Sequence, residues 1–202
     1  MIHAYNDFYL PIIQNKVAEI FELALVYEKI EQDKFIDIFL NSYISKAIEN
    51  NNMKYTMGKS SNELFALILD KDPKEYNVSS IATPEYWCGY VLAYIQWYFN
   101  ISFKDIFEKV PFNELYMNYF PYHEMDILHM VDYYEKRLNL PSKLKIMREK
   151  MGLSQSQLAL NADVPLRTIK SYEQKTVDIS KAQIETVYKL ARELCCKMED
   201  LI

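Results

Sequence analysis

The sequence predicts an all-α protein, and three observations carry that reading. Glycine and proline are scarce, 3 and 7 of 202 residues, which leaves little material for the tight turns of a many-stranded fold. Apolar residues recur at i, i+3, i+4 and i+7 through much of the chain, the spacing of one helical face. Ser, Thr or Pro stands at the start of several of these segments. A helix there needs a side-chain acceptor for its open amides, or a residue that has no amide hydrogen to satisfy.

Along the chain, "NKVAEIFELALVYEKI" places Val17, Ile20, Phe21, Ala24 and Leu25 on one helical face. "DKFIDIFLNSYISKAI" repeats the pattern with Phe35, Ile36, Phe39, Leu40, Tyr43, Ile44 and Ala47, and "ENNNMKY" ends it. In "SSNELFALIL", Ser60 with Glu63 three residues on is a capping-box signal. "DKDPKEYNVSS" reads as a polar loop, and Tyr76 to Thr83 is the one stretch where a strand competes. "TPEYWCGYVLAYIQWYFN" starts with Thr83 as N-cap, Pro84 at the first helical position and Glu85 at the positive end of the dipole. It is apolar nearly all round, as a central helix is. Ser102 with Asp105 caps the next helix, Pro111 opens a short one, and "YHEMDILHMVDYYEKRLN" predicts a longer one with a basic end. Pro141 then stops the chain's helical run and Ser142 can cap the next helix, so a boundary is expected in Leu138–Lys143. The expected domains are 1–138 and 139–202.

The charge divides at the same place. Residues 1–140 hold 12 Lys and Arg against 20 Asp and Glu, net −8, and residues 141–202 hold 11 against 8, net +3. Within 141–175 the balance is 7 to 3, net +4. The overall −5 therefore hides a locally basic C-terminal part.

Several function classes find no support. "YWCGYVLAYIQWYF" is too short to span a bilayer and carries Gln96. The N-terminal residues lack the basic start and apolar run of a signal peptide. Cys88 stands alone, and the adjacent Cys195 and Cys196 are poorly placed for a disulfide, which fits a reduced, cytoplasmic protein. "HEMDILH" separates its histidines by six, not four, so it is no zincin motif. No phosphate loop, nucleophile elbow or Cys/His pair at motif spacing occurs. An enzyme is not expected, and no cofactor or metal is called for. The rings at Tyr86, Trp87, Tyr90, Tyr94, Trp97 and Tyr98 fit core packing better than a ligand pocket, though a partner face stays open.

"LSQSQLALNADVPLRTIKSYEQ", Leu153 to Gln174, reads as two short helices joined by a tight turn. In the second, from Pro165 to about Gln174, Arg167, Lys170, Ser171 and Gln174 are spaced i, i+3, i+4, i+7 and share a face, with Ile169 and Tyr172 opposite. The first, about Gln155 to Asn161, buries Leu158 and Ala159, and Asn161 to Val164 make the turn. Before them "SKLKIMREKMG" gives a helix with Leu144, Met147 and Met151 inward and Gly152 as its stop. After them "SKAQIETVYKLARELC" puts Ile184, Val187, Ala191 and Leu194 inward, and "KMEDLI" makes a short closing helix.

The run Leu144 to Ile202 resembles the Cro/repressor-type helix-turn-helix domains of the Xre family. The resemblance covers 143–202 and rests on Arg148, Gly152-Leu153-Ser154-Gln155, Leu158-Ala159, Val164, Thr168-Ile169, Tyr172-Glu173 and Leu201. It implies a five-helix domain that binds double-stranded DNA. Gln155 would bond a phosphate. Leu166, Arg167, Thr168, Lys170 and Ser171 would face the major groove, with Arg167 placed for a bidentate contact to guanine. Gln174 shares that face, and Lys175 would reach the backbone. The simpler reading of Arg167 and Lys170 is phosphate attraction without base reading. Arg148 and Glu173 would form a structural ion pair.

Two positions depart from the family. Asp163 stands where the turn usually has glycine, and "QKTVDISK" follows the second helix where a glycine is common. The modest positive charge implies weak binding by a monomer and hence a homodimer.

The N-terminal region, notably "SYISKAIENNNMKYTMGKSSNELFALIL" and "YWCGYVLAYIQWYF", is similar to helical domains of regulators that accompany toxin–antitoxin systems. Together these resemblances imply a transcriptional repressor, and more narrowly an antitoxin that represses its own operon and binds a toxin through residues 1–138. A ligand-sensing regulator with no toxin partner, a DNA-tethered adaptor, and an enzyme with a DNA-binding tail are the alternatives.

Overall fold

A computed structural model describes residues 3–76, 83–138 and 140–202. Among them there are fourteen α-helices and no strand. The strand alternative at Tyr76–Thr83 falls almost wholly outside the described residues. Two compact units emerge, His3–Leu138 and the residues from 140 to 202.

In the first unit, α1 (Leu10–Glu22) runs on into a π turn at Leu23–Tyr27 and packs along α6 (Pro84–Phe99), its most extensive helix contact. Around this pair lie α2 (Gln32–Asn41), α3 (Tyr43–Glu49), α4 (Met53–Thr56), α5 (Ser61–Leu69), α7 (Phe103–Lys109), α8 (Phe112–Met117), α9 (Tyr119–Tyr122) and α10 (Leu128–Leu138). The core is aromatic. Phe21, Phe35, Phe39, Phe65 and Phe103 are fully buried. Phe21 meets Phe35 edge-on at 5.2 Å and stacks on Phe112 at 5.7 Å, arrangements that the ring quadrupole favours.

The caps read from the sequence are present. Ser60 and Glu63 form a reciprocal capping box, Thr83 accepts from the Tyr86 amide, and Ser102 accepts from the Asp105 amide. The Thr83 hydroxyl also donates to Glu22 at 2.9 Å, tying the start of α6 to the end of α1. Burial raises the Glu22 carboxyl above its usual range, and the Thr83 bonds offset part of that rise.

Two segments differ from the sequence reading. The helix expected over residues 33–48 is broken at Ser42, which is extended (ψ 150°). Its hydroxyl accepts from the Ser45 amide at 3.2 Å and donates to the Phe39 carbonyl at 2.7 Å, so a local hydrogen bond replaces the helical one. Tyr43, expected inward, is exposed as a result. The helix expected from Tyr122 begins instead at Leu128, whose amide is taken by the Asp126 carboxylate at 2.8 Å. Apolar spacing carries no information about either stop.

The second unit holds α11 (Lys143–Lys150), α12 (Gln155–Asn161), α13 (Leu166–Glu173) and α14 (Ile184–Glu193), with single 3-10 turns at Ile179–Lys181 and Met198–Asp200. The closing helix read from "KMEDLI" is thus one 3-10 turn. Leu144, Leu158, Ile169, Val187, Leu190, Leu194 and Leu201 form its core. Met151 and Ile184, both read as inward, point out, with Ile184 76% exposed. Met151 is the C-cap of α11, and Ile184 is the first residue of α14, where a rotation of the chain entering the helix decides the face.

Candidate nucleic-acid interface

The geometry starts at the turn between α12 and α13. Ser154 and Gln157 make a capping box that opens α12. The helix closes at Ala162, and Asp163 takes the left-handed conformation, φ +51°. The Val164 amide bonds back to the Ala159 carbonyl at 3.0 Å, closing the turn. Pro165 is the N-cap of α13 rather than its first residue, and its carbonyl accepts from the Thr168 amide at 2.8 Å. A four-residue turn, 162–165, therefore sets α13 across α12.

α13 presents two unlike faces. Ile169, Tyr172 and Glu173 are buried. Arg167, Lys170 and Gln174 are exposed, with Ser171 half-buried at their edge. A rotation of 100° per residue puts these four on one side. Neither Arg167 nor Lys170 has an ion-pair partner among the described residues, so both cations are free to meet phosphate or base. Lys175 follows, exposed, with φ +55°. Leu166 and Thr168 sit on the flanks. Leu166 packs partly against the core, and Thr168 lines a shallow cleft with Asp163, Gln183 and Lys189.

A buried ionic network holds this helix in place. Arg148 donates from Nε to Glu173 Oε1 at 2.6 Å and from Nη2 to Oε2 at 3.0 Å, a bidentate pair. Its Nη1 donates to the Leu153 carbonyl at 2.6 Å. Gln155 Nε2 donates to Glu173 Oε2 at 2.8 Å. Three helices thus meet at one carboxylate. Burial pushes Glu173 up, and the bonds from Arg148 and Gln155 outweigh it, leaving the carboxyl below its usual range. Gln155 thus spends one of the two hydrogens of its half-buried amide on Glu173. The sequence carries no sign of the Gln155–Glu173 bond, because the two lie 18 positions apart.

Residues 144–201 match the family model described as Helix-turn-helix. The C-terminal unit is a helix-turn-helix domain of the Cro/repressor type. With it the chain is a DNA-binding transcription regulator. No curated protein and no solved structure matches the chain. Among the described residues, no helix is long and apolar enough to cross a membrane.

The departure at Asp163 has a physical reading, which Cys195 shares. Asp163 and Cys195 both take the left-handed conformation that glycine supplies freely, φ +51° and +50°. Such a conformation costs an ordinary L-residue about 1–2 kcal/mol. Asp163 recovers part of this through Lys189, at 3.2 Å, a surface pair worth at most about 1 kcal/mol. Cys195 has no such bond. Cys195→Gly is therefore expected to stabilise the helix-turn-helix unit by about 1 kcal/mol after the extra unfolded-state entropy of glycine is subtracted. Asp163→Gly is expected to be close to neutral. Thermal unfolding of the two variants followed by circular dichroism checks the order.

Proposed function

We propose that this protein is a sequence-specific transcriptional repressor that binds its DNA as a homodimer through α13 and engages a protein partner through residues 3–138. The narrower form of the proposal is an antitoxin that represses its own operon and neutralises a toxin. The observation that supports DNA reading is the outward face of α13. Its two unpaired cations stand on a helix whose inner face is fixed by a buried ion pair. Lys170 supplies a point charge for phosphate, and Arg167 can fork onto guanine O6 and N7. Gln174 and Ser171 add donors and acceptors beside them, and Lys175 reaches the backbone. Two such helices in a dimer would read half-sites about 34 Å apart.

The partner role rests on the first unit's surface and charge. The acidic part of the chain exposes Met117, Phe120, Met125 and Leu128 within twelve residues. Methionine-rich surfaces of this kind adapt to protein partners.

A reporter driven by the gene's own upstream region tests the proposal. Full-length protein is expected to repress it, and Arg167→Ala/Lys170→Ala to lose repression while folding normally by circular dichroism. Co-expression with the adjacent open reading frames tests the narrower form. An adjacent product that is toxic alone, harmless with this protein, and co-purified through residues 3–138 supports it. Repression without any such partner leaves a repressor that is not an antitoxin.

A further inference from the structure

α14 buries one side and leaves an apolar stripe on another. Val187, Leu190 and Ala191 face the core. Ile184 and Tyr188, one turn apart, are 76% and 56% exposed. Such a stripe on a helix otherwise committed to the core calls for a cover, and the charges beside it say which.

Glu185 and Arg192 lie seven residues apart, two turns, so they project along the same flank of the stripe. The Glu185 side chain is 75% exposed and touches only its i+4 neighbour Lys189 at 3.4 Å, an exposed pair of little worth. Arg192 is exposed and has no ion-pair partner among the described residues. The midpoint between Glu185 and Arg192 falls beside Tyr188. An antiparallel copy of α14 laid on the stripe, with its twofold axis at that midpoint, therefore brings Glu185 against Arg192 of the copy and Arg192 against Glu185 of the copy. Residues on one flank of an antiparallel helix pair meet their own flank, so both contacts form at once. In a parallel pair each flank meets the opposite flank of the copy, so Glu185 and Arg192 would not meet each other. The charge order is self-complementary in one orientation only, as a twofold interface demands.

We propose that a second copy of this chain docks on the Ile184–Tyr188 stripe, α14 against α14, antiparallel, with reciprocal Glu185–Arg192 pairs. The seam gives the repressor homodimer its surface and rests on that reading, yet it needs no DNA, and its test is run without any. Ten residues of helix span about 15 Å, so the seam is small beside a standard interface, and association is expected to be weak and best seen at about 100 µM or above.

Full-length protein with Cys195→Gly and Cys196→Ser, whose remaining Cys88 is buried, is the background. Tyr188→Cys is added to place a thiol near the axis, and Leu160→Cys, on α12 and away from the stripe, is the control. With oxidised glutathione, Tyr188→Cys is expected to give a disulfide-linked dimer far faster than Leu160→Cys. Sedimentation equilibrium supplies the orientation. Glu185→Arg is expected to weaken self-association of the native chain by about tenfold or more, and Glu185→Arg/Arg192→Glu to restore it. Equal cross-linking of the two cysteine variants, a monomeric native chain, or a Glu185→Arg variant that associates unchanged would each overturn the proposal. Failure of DNA binding would leave all three readouts as they are.

Discussion

Glu173→Ala is expected to unfold the helix-turn-helix unit, or nearly so, while the first unit stays folded. The substitution removes the one carboxylate at which α11, α12 and α13 meet. The Arg148 side chain is 9% exposed and that of Glu173 2%, so the orphaned guanidinium has little access to water. Removing one partner of a buried pair costs about 3–5 kcal/mol because the other charge is left uncompensated, and a domain's whole stability is about 5–15 kcal/mol. A unit of about 60 residues has little to spare. Both tryptophans, Trp87 and Trp97, belong to the first unit. Tryptophan fluorescence of the variant should therefore match the native protein, while circular dichroism loses the signal of α11–α14. The pH dependence follows from the lowered Glu173 carboxyl. A folded value below the unfolded one contributes stability that is full above about pH 4.3 and is lost as the pH falls through the folded value. The gap between native and variant should narrow toward acid. An undiminished circular dichroism signal at neutral pH would show that the network does not hold the unit together.

Gly89→Val is expected to cost the first unit about 3 kcal/mol or more, at or beyond the upper end for overpacking. α1 and α6 cross at this glycine. A Cβ there would lie 2.7 Å from Ala18 Cα, 2.7 Å from the Val17 carbonyl oxygen and 3.0 Å from the Ala18 amide nitrogen. All three are backbone atoms, so no rotamer change relieves the clash and the helices must separate. Val17, Ala18, Phe21, Val91 and Leu92, all buried beside the crossing, would lose contact together. Even Gly89→Ala should destabilise, although alanine gains about 1 kcal/mol in helix propensity, because one methyl already meets backbone. The tryptophan fluorescence transition of the first unit should shift to lower denaturant, and the helix-turn-helix unit should keep its own.

Much of this architecture is legible in the chain. The Ser60–Glu63 capping box, Thr83-Pro84 and Ser102 marked helix starts because a cap is local chemistry. The amphipathic pattern of α13 put Arg167, Lys170, Ser171 and Gln174 on one face. What escaped was set by contacts far apart in sequence or by single hydrogen bonds. Ser42 broke a helix whose apolar spacing ran straight through it. Ile184 fitted the core periodicity of α14 and still faced outward, because the residue opening a helix answers to the loop before it. Leu166 and Thr168 belonged to the right helix, yet its rotation turned one toward the core and the other toward Asp163. Gln155 found Glu173, which no spacing rule predicts.

Fluorescence anisotropy of the full-length protein on its own upstream DNA, titrated with salt and compared with random DNA, tests the central claim most directly. The account predicts that the upstream sequence binds about a thousandfold or more tighter than random DNA, and that affinity falls as salt rises, because cations are displaced from phosphates. Arg167→Ala/Lys170→Ala should lose about a hundredfold on the upstream sequence and much less on random DNA, since a bidentate base contact alone is worth about 1–3 kcal/mol. Equal affinity for both DNAs, or a double variant that binds as well as the native protein, would contradict it.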